Sequence, residues 1–393
     1  MRRIREVLAR MGGKSSKPSP ATVPDRDKRV QHLRDGLQPQ QPAHRVASTP
    51  GLTRTYSVSN NNRRSLAVDL DPNAAGALIM YDGTRDNRGL STSNTNTTTA
   101  TETSLASSSS GGKDKGIDIV LIHGAGGGRT KTWTTDDGVC WPRDLLPRDL
   151  PANTRVISWG WKVPDNIAST DDTTNYGELC NMVSDQLSMD LARIDGGAER
   201  DLIFIAHGVG GLIVKDALAT TAVSQVFGKR SELGSIYPRT VGVIFLGTPH
   251  SGHGRQTLSE CAVLAARLDT SDGRGALDDL FLQMINESNE ILETQRGEFA
   301  LISRDLPVIC VREQVATHNR GAEILPKACA SFDGINVTTD DFFQDHAGLA
   351  RYNDRHESGF FQLVGHISKL TKRTHFQDTE AGMVRVRGRI FVP

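Results

Sequence analysis

Several common signatures are missing from this 393-residue sequence. No apolar run reaches about 18 residues, so no segment predicts a transmembrane helix. The 46 basic and 46 acidic side chains balance, and we therefore expect no nucleic-acid partner. The five cysteines include no C-x-x-C pair, and no metal-ligand spacing or secretory signal accompanies them. These absences predict an intracellular protein with reduced thiols, no bound metal and no cofactor.

The balance of charge hides a basic start. Residues 1–70 carry 14 basic and 5 acidic side chains. Met1–Met11 places Ile4, Val7 and Leu8 on one helical face and arginines around the other. Such a helix is typical of a mitochondrial presequence or of a segment that contacts a membrane surface. The alternative is a solvated basic arm on a cytoplasmic protein.

The composition predicts where the folded domain begins. Residues 12–62 are rich in Pro, Ser, Gln and Arg, and residues 92–112 are almost entirely Ser, Thr, Asn and Gly. Such segments cannot bury enough apolar surface to order themselves, although residues 65–82 could form a marginal strand. We predict a mostly disordered region over 1–115, a folded domain over 116–372 and a tail over 373–393.

One stretch organises that domain, DLIFIAHGVGGLIVKDALAT at 201–220. A short apolar run predicts a buried strand, and Leu212, Ile213, Ala217 and Leu218 then recur at helical spacing. Strand, tight turn and helix are the context of the G-x-S-x-G nucleophile elbow, which raises one side chain above the sheet. Gly208 stands at the apex, so the nucleophilic serine of such an elbow is missing.

A second glycine-rich turn, HGAGGG at 123–128, follows the apolar strand predicted at 117–122. It lacks the glycine pattern and the following helix of a phosphate-binding loop. An HG-rich turn after a strand is instead the form of an oxyanion hole in lipases and esterases.

The remaining elements alternate. Apolar runs predict further strands at 155–161, 241–246, 306–311 and 323–326, and helical spacing predicts helices at 175–194, 257–292 and 359–370. This alternation predicts an α/β fold, a mainly parallel sheet with helices on both faces. Right-handed crossovers would bring the glycine-rich turns to one edge of that sheet.

Six segments in this order resemble the lipase-type α/β-hydrolases: IDIVLIHGAGG, KTW, CWPRDLLPRDLP, FIAHGVGGLIVKDAL, VIFLGTPHSG and DHAGLARY. The resemblance is nearest to the serine-active-site-containing family, which is related to the GPI inositol-deacylases, and it covers about residues 117–371. It implies the α/β-hydrolase fold, an ancestral hydrolysis of lipid-like esters, and a lipid-like or acyl-ester ligand.

The resemblance also assigns roles. It implies position 208 as that of the nucleophile, His346 as the base, and the N–H groups of Ala125 and Val209 as the oxyanion hole. Glu313 is favoured as the acid, since it ends the strand before the histidine segment. The other acids left open are Asp333, Asp341 and Asp345.

Further residues of the same turns are expected to shape the pocket: His123, Gly124, His207, Thr248 and His250. His207 flanks the apex and is expected to point elsewhere, and His346 is expected in an exposed turn. Ser251 offers a hydroxyl but is disfavoured as a substitute nucleophile.

Two functions follow from Gly208. One is a lipase or serine esterase relative with impaired catalysis. The other is a non-catalytic pseudohydrolase that binds a ligand or partner and acts in signalling or as a scaffold. Because only the serine is missing, Gly208→Ser is expected to complete the catalytic unit.

Overall fold

The computed structural model describes residues 71, 74–84, 115–163, 175–226, 236–270, 279–317 and 323–379. The predictions for the basic start and for both polar segments, 12–62 and 92–112, lie outside these residues. Nothing in the described part tests them.

Seven strands within the described residues form one sheet. They are β1 Gly76–Asp82, β2 Ile117–Ile122, β3 Thr154–Gly160, β4 Asp201–His207, β5 Thr240–Leu246, β6 Val308–Glu313 and β7 Val337–Phe342. The order across the sheet is β1-β3-β2-β4-β5-β6-β7. Only β1 runs antiparallel to its neighbour, and the other pairs are parallel.

The helices form layers on both faces of this sheet. They are α1 Trp141–Asp144, α2 Tyr176–Arg193, α3 Gly210–Val226, α4 Leu258–Asp269, α5 Asp279–Asn286, α6 Asn289–Ile302 and α7 Ser358–Thr379. One apolar layer joins the sheet to α2–α6, and a second joins it to α1 and α7. The strands β2–β5 are buried along their whole length. This arrangement confirms the predicted α/β-hydrolase fold class, and in the described residues no helix has the length and apolar character needed to cross a membrane.

Several boundaries differ from the predictions. Gly76–Asp82, placed outside the folded domain by the boundary at 116, is the edge strand of the same sheet, and its Met80 is buried. Residues 323–326 form no strand, since Glu323 makes only an isolated bridge to Thr317. β7 was not predicted because its sequence, VTTDDF, is polar and half exposed. The predicted helix 257–292 is divided, as α4 and α5 are separate helices.

A disulfide ties α4 to the segment before β7. Cys261 and Cys329 are bonded, with Cα atoms 6.4 Å apart. The expectation of five reduced thiols is therefore wrong for this pair, because widely separated residues meet once α4 packs on the sheet. Cys140, Cys180 and Cys310 are free and buried.

Candidate functional site

The turn between β4 and α3 holds Gly208 at the carboxyl edge of the central strands. Gly208 has φ of +50°, in the left-handed region that glycine enters without the Cβ penalty of other residues. Its N–H donates to the carbonyl of Leu246 at 2.9 Å, which fixes the turn to β5. The sequence therefore forms the sharp elbow, with Cα alone at its apex.

Glu313 and His346 meet beside this turn. Oε2 of Glu313 lies 2.6 Å from Nδ1 of His346, and both side chains are fully buried. Oε1 of Glu313 accepts a hydrogen bond from the Leu325 N–H at 2.7 Å. Since a carboxylate only accepts, Nδ1 carries a proton and Nε2 faces the elbow. The expectation that His346 lies in an exposed turn is wrong, because the surrounding loops cover it completely.

The other candidate acids have different partners. Asp341 pairs with Arg312 at 2.6 Å and with Lys327 at 2.8 Å. Asp345 accepts from the Gly348 N–H at 2.8 Å, and Asp333 is exposed. Among the four acids, the structure brings only Glu313 to the ring of His346.

An unexpected carboxylate lies in front of the elbow. Asp269, the last residue of α4, is 1% exposed in its side chain. Its Oδ2 accepts from the N–H groups of Ala125 at 2.8 Å and Val209 at 3.3 Å. Its Oδ1 lies 3.2 Å from Nε2 of His346. The two donors expected to form an oxyanion hole therefore both bind a side chain of the protein itself.

His207 completes the surroundings of this carboxylate. Its Nδ1 lies 3.2 Å from Oδ1 of Asp269, and its Nε2 lies 2.9 Å from the carbonyl oxygen of His346. The rings of His207 and His346 are 4.8 Å apart between centroids. His207 thus faces the site, contrary to the expectation that it points elsewhere.

Glycine at position 208 is what leaves room for Asp269. An ideal Cβ on Gly208 would lie within 3.0 Å of both Oδ1 and Cγ of Asp269. A Cβ on Gly124 would also lie within 3.0 Å of the same carboxylate. The carboxylate therefore occupies the space that the side chain of a nucleophile at 208 would need. Gly208→Ser alone could complete the unit only after the carboxylate of Asp269 moves out of this space.

Neighbouring charges set the protonation of the two histidines. Burial disfavours a charged ring at His346, but the carboxylates of Glu313 and Asp269 outweigh it and raise the pKa of His346 to about 10. Burial lowers the pKa of His207, although Asp269 opposes that shift. At neutral pH the Nε2 of His346 therefore carries a proton and donates to Asp269. In this state the ring has no free lone pair with which to act as a base.

Three of the expected pocket residues support the turns rather than the carboxylate. Nε2 of His123 accepts from the Trp161 N–H at 3.0 Å, and its ring stacks on that of Trp161. Thr248 donates its hydroxyl to the carbonyl of Gly208 at 2.9 Å. His250 lies 3.5 Å from Sγ of Cys310, and its ring packs on Phe245 and Phe332.

Ser251 and the histidine cluster offer no ready alternative chemistry. The Ser251 hydroxyl donates to the Ala328 carbonyl at 2.6 Å. In the described residues, His207, Asp269 and His346 bring three donor atoms within 4.8 Å of one another, a spacing that one metal ion could bridge. An ion could bind His346 there only if that ring lost the proton it shares with Asp269.

A small apolar void lies in the core beside Val209, with room for about one water molecule. It is lined by Trp161, Tyr176, Leu179, Cys180, Val183, Val209, Ile213 and Phe281. Val209 belongs to both features, since its N–H donates to Asp269 and the residue also lines the void. The apolar core therefore packs directly against a residue that holds the carboxylate.

Sequence reasoning missed Asp269, the central residue of this site. It lies 61 positions from Gly208 in a segment predicted only as a helical roof. One signal was available. An acidic residue at the last position of a helix lies at the negative end of the helix dipole, and such a residue needs donors from elsewhere.

Comparisons with known proteins find relatives in sequence. Protein SERAC1 from Danio rerio is 31% identical over 160 residues, which cover 34% of this chain and 22% of that protein. Protein SERAC1 from Homo sapiens is 27% identical over 212 residues, or 48% of this chain and 28% of that protein. The aligned region thus spans about a quarter of the length of these curated relatives. A scan against protein-family models finds no match.

Solved structures align more distantly. An inhibited esterase B from Lactobacillus rhamnosis has a TM-score of 0.40 and 11% identity, covering 68% of this chain and 81% of its own. The lipase BlEst2 from Bacillus licheniformis has a TM-score of 0.39 and 15% identity, covering 64% and 93%.

The fold assignment rests on the observed topology. The parallel sheet ends in a glycine-rich elbow after β4, and the positions 208, 313 and 346 follow the chain order nucleophile, acid, histidine of the α/β-hydrolases. The chain therefore has the α/β-hydrolase fold, and part of it is similar in sequence to the SERAC1 proteins.

Proposed function

We propose that this α/β-hydrolase does not hydrolyse esters at its elbow and uses the retained pocket to bind a lipid-like ligand. The observation that carries the proposal is the carboxylate of Asp269 in the space in front of Gly208. Hydrolysis by the ancestral route needs an attacking oxygen at position 208 and two free N–H donors for the oxyanion. The attacking oxygen is missing, and the carboxylate of Asp269 already binds both N–H donors.

The contribution of a serine nucleophile to kcat is large, so its absence supports impaired catalysis. Removal of the serine from a serine–histidine–acid unit lowers kcat by a factor of about 10⁶, and binding plus the oxyanion hole retain about 10³ to 10⁴ over water. Here the hole is also occupied, as both Ala125 and Val209 donate to Asp269. We therefore expect rates close to the uncatalysed reaction.

The retained parts of the site support a binding role. Glu313 and His346 remain paired at 2.6 Å, and the elbow keeps its left-handed turn. The residues around the small void at Val209 are apolar, and a lipid-like ligand would contact them once Asp269 moved away. In a signalling or scaffold role, a ligand bound in this same pocket would change the conformation of the protein.

A fluorophosphonate probe and p-nitrophenyl butyrate test the proposal on the purified full chain. We expect no covalent labelling and no hydrolysis above the level of a His346→Ala control. Labelling that maps to any serine, or hydrolysis abolished by His346→Ala, would show an active enzyme and overturn the proposal.

Contact with a membrane through Met1–Met11 remains a separate proposal. It is supported by the arginine-rich amphipathic pattern, and a mitochondrial destination is supported by the same pattern. A fluorescent reporter fused to residues 1–40 tests both. Diffuse signal throughout the cytosol would count against both and favour a solvated arm.

A further inference from the structure

The ring of His207 faces the Asp269 carboxylate with an acceptor. Its Nε2 lies 2.9 Å from the carbonyl oxygen of His346, which only accepts, so Nε2 carries the one proton of the neutral ring. Nδ1 of that ring therefore has a lone pair, and it lies 3.2 Å from Oδ1 of Asp269. Two acceptors at this distance in a buried site repel each other. A cation between them would turn the repulsion into attraction.

A third atom faces the same oxygen. Nε2 of His346 lies 3.2 Å from Oδ1 of Asp269, and these two atoms and Nδ1 of His207 all lie within 4.8 Å of one another. Around a tetrahedral Zn²⁺ ion, ligand atoms at about 2.0–2.1 Å from the metal are about 3.3–3.4 Å apart. The two separations of 3.2 Å match this spacing. The two nitrogens would need to approach each other by at most about 1.5 Å.

The protein also holds the atoms of these side chains that would not contact an ion. Nδ1 of His346 donates to Glu313 at 2.6 Å, and Nε2 of His207 donates to a backbone carbonyl. Oδ2 of Asp269 accepts from two backbone N–H groups. Ligating histidines almost always make such an outer hydrogen bond, which fixes the tautomer and the orientation of the ring. Each of the three side chains is therefore oriented as a metal ligand is.

The charges of the cluster favour a divalent ion. The ring of His346 contacts the carboxylates of both Glu313 and Asp269, and it can carry only one positive charge. The Nε2 proton of His346 must leave before an ion binds, and it would go to solvent. Two carboxylates attract a divalent ion more strongly than a proton-bearing ring of single charge. The exchange would leave both carboxylates balanced.

We propose that His207, Asp269 and His346 form a Zn²⁺ site, with Nδ1, Oδ1 and Nε2 respectively as its ligands. Two imidazole nitrogens and one carboxylate oxygen are a common set of zinc ligands, and they leave the fourth position to a water molecule. The bound ion would keep Asp269 in front of Gly208, and so it would oppose any ligand that requires this carboxylate to move. The site itself does not depend on whether such a ligand binds.

Zn²⁺ alone is the probe in the experiment. The untagged full chain is purified without a metal-affinity column, treated with EDTA and titrated with ZnCl₂ by calorimetry. We expect about one tightly bound ion per chain. Asp269→Asn and His207→Phe each remove one ligand and should weaken binding at least about 100-fold. Mg²⁺ should not compete, because imidazole nitrogens are poor ligands for it.

Two controls make the result specific. Asp340→Asn changes the carboxylate of another histidine pair, 2.8 Å from Nε2 of His366, and should bind Zn²⁺ as the unchanged chain does. Co²⁺ bound in place of Zn²⁺ reports the type of ligand. Nitrogen and oxygen ligands give visible absorption without the intense band of a cobalt–thiolate bond. This spectrum needs no variant, so it remains decisive if circular dichroism shows that the variants do not fold.

Three outcomes would overturn the inference. The unchanged chain could fail to bind Zn²⁺ tightly, or folded Asp269→Asn and His207→Phe could bind it as well as the unchanged chain. An intense thiolate band in the Co²⁺ spectrum would assign the ion to cysteines instead. Because no ester is present, these results are independent of the hydrolysis assay that tests the proposed function.

Discussion

Adding serine at the elbow separates the effect of the missing nucleophile from that of the carboxylate in front of it. Gly208→Ser alone places a Cβ within 3.0 Å of Oδ1 and Cγ of Asp269, so the carboxylate must leave its donors. A non-glycine residue in the left-handed region costs about 1–2 kcal/mol. Each lost hydrogen bond to a charged group costs about 1.5–3 kcal/mol. We expect Gly208→Ser to lower the free energy of unfolding by at least about 3 kcal/mol.

The double variant Gly208→Ser with Asp269→Ala behaves differently. Alanine removes the carboxylate, so the serine bears only the backbone strain and its hydroxyl enters the space beside His346 and the N–H groups of Ala125 and Val209. We expect this variant to hydrolyse p-nitrophenyl butyrate at least about 100-fold faster than either single variant, a modest part of the factor of about 10⁶ that the serine contributes in such units. It should also react with a fluorophosphonate.

Controls determine whether the reasoning holds. Adding His346→Ala to the double variant should abolish both labelling and hydrolysis, and circular dichroism should show that each variant is folded. If Gly208→Ser alone is as active as the double variant, Asp269 does not block the site. If the folded double variant remains inert, Glu313, His346 and the two N–H donors are not arranged for catalysis.

Three further predictions concern stability. Burial lowers the pKa of His123 from 6.5 to about 4, so folding favours the neutral ring. The contribution of this ring to the free energy of unfolding is complete above pH 6.5. About 3 kcal/mol of it is lost as the pH falls toward 4. Urea unfolding measured from pH 7.5 to 4.5 should show this loss in the unchanged chain and a smaller loss in His123→Gln. An equal dependence of the unfolding free energy on pH in both proteins would refute the assignment of the loss to His123. Asp118 pairs with Arg155 at 2.6 Å and with Arg200 at 2.5 Å in the core. Asp118→Ala leaves two buried guanidinium groups and should cost about 3–5 kcal/mol, while Asp333→Ala, at an exposed acid, should change stability little in the same titration. The Cys261–Cys329 disulfide closes a 68-residue separation and should contribute about 4 kcal/mol by chain entropy. Reduction with dithiothreitol should lower the Tm of the unchanged chain but not that of Cys261→Ala with Cys329→Ala, and an unchanged Tm on reduction would contradict it.

The fold class could be predicted because its signals are local. Apolar runs become buried strands, helical spacing becomes α2, α3, α4, α5 and α7, and a glycine between strand and helix permits the left-handed turn at Gly208. These choices depend on residues within a few positions of one another. β7 was missed for the same reason, because its polar sequence carries no local sign that β6 will pair with it.

Burial was harder to predict from the sequence. Lys215 has a charged side chain, yet it is 2% exposed and its Nζ donates to the Pro249 carbonyl at 2.9 Å. His346 is likewise expected in an exposed turn and is fully buried. Whether a polar side chain is covered depends on which loops pack over it, and those loops are distant in the chain.

The sequence alone determined that position 208 carries no nucleophile, and the resemblance to a family indicated which residues should surround it. Only the tertiary structure brought Asp269 to that position. Its arrival depends on the packing of α4, the absence of a Cβ at Gly124 and Gly208, and donors from three separate loops. None of these alone holds a buried carboxylate, and they act together only after the chain has folded.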